Sequence, residues 1–347
     1  MSPENVQEDL AEERVPVEAA RVRGPLGGTQ TQRVVAFKFG GSSLLGAQRM
    51  LHAAGLVHET AKSCDVAVIV SAMKGVTDHL LDIFRWIDLG KTPRARAEAE
   101  ATLQLHLDVL GELQLDEDAA RRVRHELHLL GRDLLHEIPV HRNAVQNPTA
   151  EAALCDRFSS FGERFSARLF AAALEKIGLT AVPVSSSDFV VTCDTFRDAK
   201  PDLNETRRRG REILLPLFED GVVPVVTGFL GATRDGRTTT LGRNSSDFSG
   251  AIIAHVVDAD ELVIWTDVDG IYTANPAESA EAVLLHELSY DEAHALASSG
   301  AKVLHAGVLP LAAERGMLVW VRNTFNPKFR GTKIGPSQRK SRQRGAA

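Results

Sequence analysis

RVVAFKFGGSSLLG, residues 33–46, joins a strand-like run to an unusual exit. Arg33–Phe39 is rich in valine and phenylalanine, the composition of a strand buried on both faces. It stops at Gly40 and Gly41, followed by Ser42 and Ser43. Adjacent glycines directly after a strand let backbone N–H groups approach an anion closely, and a following helix offers its positive N-terminus. Lys38, at the end of the strand, could neutralise a phosphoryl group. An ordinary lysine-glycine turn has the same letters, so a phosphate cradle is the better reading only if other loops supply partners.

Similar short runs recur along the chain: VAVIVSA, TAVPVSS, VVPVVTG, ELVIWTDV and LVWVRNT. Amphipathic helical stretches separate most of them, near Gln48–Lys62, Arg157–Lys176, Thr206–Glu219, Asp247–Val257 and Tyr290–Ser299. Strand followed by helix, repeated, predicts an α/β fold: a three-layer α/β/α sandwich with a mostly parallel central sheet. The segment from about 78–146 breaks the rhythm. HLLDIFRWIDL, ATLQLHLDVLGELQL and RRVRHELHLLGRDLLHEI are helical in period and poor in β-branched residues, which predicts a helical insertion. Such an insertion often covers a site, or else pads one edge of the sheet.

The ends read differently. Residues 1–32 are rich in Glu, Gly, Pro and Gln without apolar periodicity and are expected to be disordered, and residues 336–347 form a short basic tail. The N-terminus has no apolar stretch of signal-peptide type. With 347 residues, 44% hydrophobic and 25% charged, the composition is that of a soluble globular protein. A net charge of −6 speaks against a general nucleic-acid binder. Three cysteines, Cys64, Cys155 and Cys193, are too scattered for a disulfide framework and suit a reducing compartment. No window reaches the roughly 18 apolar residues of a membrane span. A cytoplasmic protein is expected.

Two histidine clusters suggest zinc and fail on spacing. HEIPVH (His136–His141) places its histidines five apart with Pro139 interrupting the helix, and HELH from His125 is also mis-spaced. A helix presents both rings on one face at i, i+4. These histidines are expected on helix surfaces, with no zinc. No GxxxxGK[ST] loop or dinucleotide fingerprint is present, so phosphate binding would need another architecture.

Three further loops carry site-like chemistry. TTTLGRNSSDFSGA, from Thr238, opens a helix with Asn244, Ser245, Ser246 and Asp247. Serine and asparagine are ordinary N-caps, yet Arg243 at a helix start adds positive charge where the dipole is already positive, an oddity that an anionic ligand resolves. IWTDVDGIYTANP ends a strand in Thr266 and Asp267 and turns through Asp269-Gly270 to Tyr272. Strand C-terminal ends are where open α/β sheets bind ligands. SSGAKVLHAG places Lys302 after a glycine that closes a helix. Four such loops carrying Lys, Gly-Gly, Arg, Asp and Lys make coincidence the poorer explanation.

Taken together, KFGGSS, SAMKGVT, FGERFSARL, TCDTFRDAKPDL, VVTGFLG, TTTLGRNSSD, IWTDVDGIYTANP, GAKVLH and NTFNPKFRGTKI resemble the aspartate kinase catalytic domain of the amino acid kinase family, over Arg33 to Gly335. The resemblance implies ATP-dependent phosphorylation of the side-chain carboxylate of L-aspartate, with Mg2+. It implies catalytic roles for Lys38, Asp247 and Lys302. It places Lys38, Phe39, Gly40, Gly41, Thr266, Asp267, Tyr272, Lys302 and Val303 at ATP. Ser71, Thr77, Glu163, Phe196, Arg243, Asn244, Ser245 and Ser246 would lie at the acceptor, with Glu163 near its ammonium and Arg243 near a carboxylate. The magnesium ligands are left unassigned. On its residues alone, Glu163 reads as an i, i+4 surface partner of a nearby arginine.

Departures from the family pattern lie at the pocket rims. Asn244-Ser245 stands where relatives have Gly-Gly, Ala306-Gly307 where they continue with proline, and Ala277 where an arginine is common. Relatives also continue past GTKIG into ACT domains, whereas twelve residues follow Gly335 here, so a kinase without lysine or threonine feedback is expected unless a separate subunit supplies it. The expected partners are the small molecules L-aspartate and ATP, neither nucleic acid nor membrane, and as further candidates a homodimer or a regulatory subunit. The competing expectations are a kinase of another acidic acceptor and a non-catalytic nucleotide-binding regulator.

Overall fold

A computed structural model describes residues 33–140, 147–242, 245–274, 279, 281–298 and 304–337. The expectations for residues 1–32 and most of the tail, and for Ala277, lie outside the described residues. The strands are β1 (Val34–Phe39), β2 (Asp65–Val70), β3 (Ala181–Val184), β4 (Val191–Thr192), β5 (Val223–Thr227), β6 (Leu230–Thr233), β7 (Thr238–Thr240), β8 (Glu261–Thr266), β9 (Ile271–Tyr272), β10 (Leu284–Leu285), β11 (Glu287–Ser289), β12 (Leu318–Asn323) and β13 (Thr332–Gly335). The helices are α1 (Ala47–Ala61), α2 (Val76–Asp88), α3 (Thr92–Leu113), α4 (Glu117–Val140), α5 (Pro148–Lys176), α6 (Leu203–Glu219), α7 (Ser246–Val256), α8 (Tyr290–Ser298) and α9 (Val308–Arg315).

The main sheet runs β11-β13-β12-β8-β1-β2-β5-β3. Its six strands from β12 to β3 are parallel, and β13 is antiparallel to β12. The mostly parallel sheet expected from the alternating pattern is therefore present, with a reversed edge of short strands that carry no valine-rich signature. Two small sheets, β4-β6-β7 and β10-β9, were not legible for the same reason.

Period-two alternation divides the sheet between two cores. Val35, Phe37 and Phe39 of β1 join Val66, Val68 and Val70 of β2 against α1 and α5. Ala36, Ala67, Ile69, Leu262 and Ile264 face the other way, with α7 and α9. Lys38 shares the parity of Ala36, so its stem emerges on the α7 side. Gly250 makes room there: a Cβ on it would lie 3.2 Å from the Lys38 Cβ.

The helical insertion is real, comprising α2, α3 and α4, and it continues into α5. α5 starts at Pro148, nine residues before the expected Arg157, with Asn147 capping Thr149 N–H and proline at the first turn where no N–H is required. The expectation that Pro139 interrupts its helix is corrected, since α4 runs through it to Val140. A proline this near the end costs only hydrogen bonding in the final turn. His125, His128 and His136 are exposed, and His141 is outside the described residues. His106 behaves differently: buried in α3, it stacks on Phe165 at 4.4 Å, and burial pulls its pKa to about 4.

Candidate active site

β1 is the switch point of the sheet: the chain leaves it through α1 to β2 on one side, and β8 lies on its other side. Loops leaving neighbouring strands there diverge and open a crevice beyond their C-terminal ends.

At the exit of β1, Gly40 donates to the carbonyl of Trp265, and Lys74 donates to the carbonyl of Gly41 at 3.2 Å. Gly41 is required by close approach, because a Cβ there would lie 2.6 Å from the Ala72 oxygen and 3.0 Å from the Lys74 nitrogen. Lys38, 6% exposed, extends to Asp247 with Nζ 2.7 Å from Oδ1. Asp247 stands in the first turn of α7, where N–H groups lack helical partners and attract negative charge. Thr266 ends β8 and Asp267 follows it, exposed and beside the exit of β1; Tyr272 lies in β9.

On the other side of the crevice lies a pocket of about 370 Å³. Ser71 and Ala72 enter it from the end of β2, Thr77 from α2, Asp156, Ser159 and Glu163 from α5, and Ser245 and Ser246 from the start of α7. Glu163 is fully enclosed and does not pair with Arg164 or Arg168. Its Oε1 accepts the Ala72 N–H at 3.0 Å, while Oε2 is buried without a partner. Burial raises its carboxyl pKa to about 8, only partly offset by the Ala72 hydrogen bond and the charge of Lys38. The hydroxyls of Ser71 and Ser245 are likewise buried and unpartnered. Orphaned polar atoms cost about 1–3 kcal/mol each, and three facing one pocket mark a surface shaped for a polar ligand.

The structure thus brings together Lys38, Gly40, Gly41, Ser71, Thr77, Glu163, Ser245, Ser246 and Asp247. Phe39 points into the core against Phe170 and Trp265, so only its backbone faces the crevice. Phe196 is buried under the Arg237 guanidinium and does not line the pocket; its neighbour Arg197 does. Arg243, Asn244, Lys302 and Val303 lie outside the described residues. Asp156, Ser159, Arg197 and Thr240 were missed. One signal was available: Asp156 and Glu163 are seven residues apart, two helical turns, so they share a face of α5 that is otherwise deeply apolar.

The fold and crevice define an α/β ligand-binding domain with an anion-attracting strand exit beside a polar pocket. The chain belongs to the amino acid kinase family, which it matches over residues 33–323. It is 32% identical to the lysine-sensitive aspartokinase 3 of Escherichia coli over 87% of this chain and 64% of that protein. It is 33% identical to the aspartokinase of Chlamydia trachomatis over 88% of this chain and 65% of that one. The crystal structure of E. coli aspartokinase III with aspartate and ADP superposes with a TM-score of 0.80 at 29% identity, over 89% of this chain and 66% of that chain. The chain therefore spans a little under two thirds of the length of these relatives. Among the described residues, no helix is long and apolar enough to cross a membrane.

Proposed function

We propose that this chain transfers the terminal phosphoryl group of ATP to the side-chain carboxylate of L-aspartate, giving 4-phospho-L-aspartate and ADP, in the cytoplasm and as a step of amino acid biosynthesis. The observation that carries the reading is the buried Lys38, paired with the half-buried Asp247, standing between a glycine-lined strand exit and a pocket with an unpartnered carboxyl oxygen of Glu163. The aspartate and ADP bound by the E. coli relative support it.

A carboxylate acceptor is ionised at pH 7, so no general base is required. The difficulty is that two anions must meet, which positioned cations and backbone donors relieve. Lys38 would face the transferring group, held in line by Asp247, with Gly40 and Gly41 lining the phosphates. Thr266, Asp267 and Tyr272 would serve the nucleotide, with Lys302 and Val303 completing that side. Glu163 would take the substrate ammonium, with Ser71, Thr77, Ser245 and Ser246 around it. Phe196 would act through the loop that carries Arg197, and Arg243 and Asn244 would reach the α-carboxylate end.

Magnesium suits this site as an ion bound mainly by phosphates, which needs one or two protein carboxylates. Asp247 and Asp267 are at hand, and among the described residues no cluster of three or more His, Cys, Asp or Glu forms a dedicated cage. Bound there, it would offset charge on the phosphates.

A second reading, a kinase of another acidic acceptor, is favoured by the unpartnered Ser245 hydroxyl at the pocket. Trapping the acyl phosphate with hydroxylamine in the presence of Mg-ATP and single amino acids separates the two. Hydroxamate with L-aspartate alone supports the first; signal with a different acid supports the second. ATP binding without any hydroxamate would leave a non-catalytic regulator. Adding lysine or threonine to the same assay tests the expectation of an enzyme without feedback.

A further inference from the structure

Asp156 makes more structural contacts at the pocket than any role above requires of it. It is 2% exposed, in the first third of α5, and every hydrogen bond its carboxylate accepts comes from another element. Oδ2 accepts the backbone N–H of Arg197 at 2.8 Å and that of Thr240 at 2.8 Å, and Oδ1 accepts the Thr240 hydroxyl at 2.7 Å. One carboxylate therefore joins the helix that carries Glu163 to the loop after β4 and to the end of β7. These two segments also hold each other, through Ala199 N–H and the Thr240 carbonyl at 2.9 Å.

The Arg197 backbone gives an independent sign that this contact has a purpose. Its φ is +68°, in the left-handed region that a long side chain seldom occupies. A strained residue persists only where its surroundings over-determine it, and such strain gathers at ligand sites. Arg197 is held on one side by Asp156. On the other, Asp198 crowds Gly242, whose own φ is +94° and where a Cβ would lie 3.1 Å from Asp198 Oδ1. Arg197 and Thr240 line the same pocket as Ser245 and Ser246 at the start of α7.

We infer that Asp156 is a positioning residue: it fixes the wall of the acceptor pocket by holding Arg197 and Thr240 against α5, and so sets acceptor affinity without touching the nucleotide side. The inference rests on the kinase reading for its kinetic consequence but not for its structural one. The chemistry asked of Asp156 is acceptance only, since its three partners all donate. An asparagine can meet it. The amide oxygen would accept both backbone N–H groups, and the amide NH2 would donate to a Thr240 hydroxyl rotated to accept.

The test compares Asp156→Asn with Asp156→Ala in the full chain. The alanine variant should raise the KM for the acceptor amino acid about tenfold or more, as expected for a misplaced binding wall, with the KM for ATP within about twofold. The asparagine variant should restore the acceptor KM to within about threefold of the parent. Amide hydrogen exchange should quicken at residues 195–199 and 240 in the alanine variant and stay at parental rates in the asparagine variant. This readout stands even if the parent phosphorylates no amino acid, which would sink the kinase reading alone. Should the alanine variant fail to fold, Thr240→Val, which removes only the hydroxyl contact, is expected to give the same KM split in milder form. Equal rises in both KM values, or an asparagine variant as impaired as alanine, would overturn the inference, the latter by showing that the charge itself is needed. Unchanged exchange in Asp156→Ala would overturn it outright.

Discussion

The two flanks of the crevice, proposed above for the nucleotide and for the acceptor, are built from different materials. The nucleotide flank is backbone at strand ends: Gly40, Gly41 and the Trp265 carbonyl, with one lysine reaching to one aspartate. The acceptor flank is side chains from the buried face of a long helix, where Asp156, Ser159 and Glu163 interrupt a phenylalanine- and alanine-rich surface. The first flank is fixed by the sheet and tolerates little displacement. The second owes its shape to polar contacts that could be made or lost singly. Substitutions should therefore separate the flanks, with turnover failing on the first and acceptor affinity on the second.

Lys38→Ala should show the largest effect. Removing one well-placed donor from a site of this kind costs about 2.7–4 kcal/mol of barrier, or about 100-fold or more in kcat. The fold should persist, because the stem leaves its space beside Gly250 rather than opening the phenylalanine core. Steady-state kinetics with a melting curve checks both halves. Near-normal turnover by a folded variant would remove Lys38 from the reaction.

Gly41 stands where the flanks meet, since its loop lies against the Ala72–Lys74 backbone. Gly41→Ala places a methyl group 2.6 Å from a carbonyl oxygen that cannot swing aside. Overpacking of this kind costs about 1–3 kcal/mol, or some 2–4 °C of melting temperature for each kcal/mol in a chain approaching this size. Kinetics should deteriorate for both substrates, because both loops must move. A variant impaired for ATP alone would mean that the β2 loop does not share in the strain.

Glu163 sharpens the comparison through pH. Burial pushes its carboxyl up to about 8, against 4.5 in an unfolded chain, so the folded protein holds an extra proton between those values. Stability from this group is complete below pH 4.5 and declines as pH rises toward 8. Binding an ammonium group needs the ionised form, so acceptor affinity should improve from pH 6 to 8 while affinity for ATP changes little. Glu163→Gln should flatten that profile and weaken the acceptor by about tenfold or more at pH 8, the scale of a lost charged hydrogen bond. Calorimetry in two buffers of different ionisation enthalpy would register proton release on acceptor binding. Retention of the parental pH slope in the glutamine variant would assign the titration to another group.

These contrasts also explain what the sequence could disclose. The parallel sheet was legible because strands buried on both faces must be uniformly apolar, whereas glycines and a lysine at a strand exit also spell an ordinary turn and pointed to a phosphate cradle only in company with the other loops. The acceptor flank was legible only through family resemblance. A glutamate in FGERF looks like a surface ion-pair partner until the fold shows that its face of α5 is buried, and Asp156 in CDRF looks the same. The resemblance placed Phe196 at the acceptor, but Phe196 is buried and its exposed neighbour Arg197 is the residue that lines the pocket. Local letters carry buried strands well. They carry buried polar positions on helices poorly, because there the environment is supplied by distant residues.

The smallest effect should come from an ion pair that nearly matches the Lys38–Asp247 pair in length. Arg208 and Glu205 on α6 approach to 2.8 Å, against 2.7 Å for Lys38 and Asp247. The arginine side chain is 56% exposed where the lysine is 8% exposed. Water and salt screen the first pair, and ordering two long side chains offsets most of what remains. Glu205 also keeps a second partner in Arg209 at 2.7 Å, and Glu212, which loses its bond to Arg208, is 64% exposed and solvated by water. Arg208→Ala should leave kcat and both KM values at parental levels and shift the melting temperature by no more than about 1 °C. A kinetic change there would mean that α6 communicates with the crevice through α7, which it packs against, and the clean division between flanks would no longer hold.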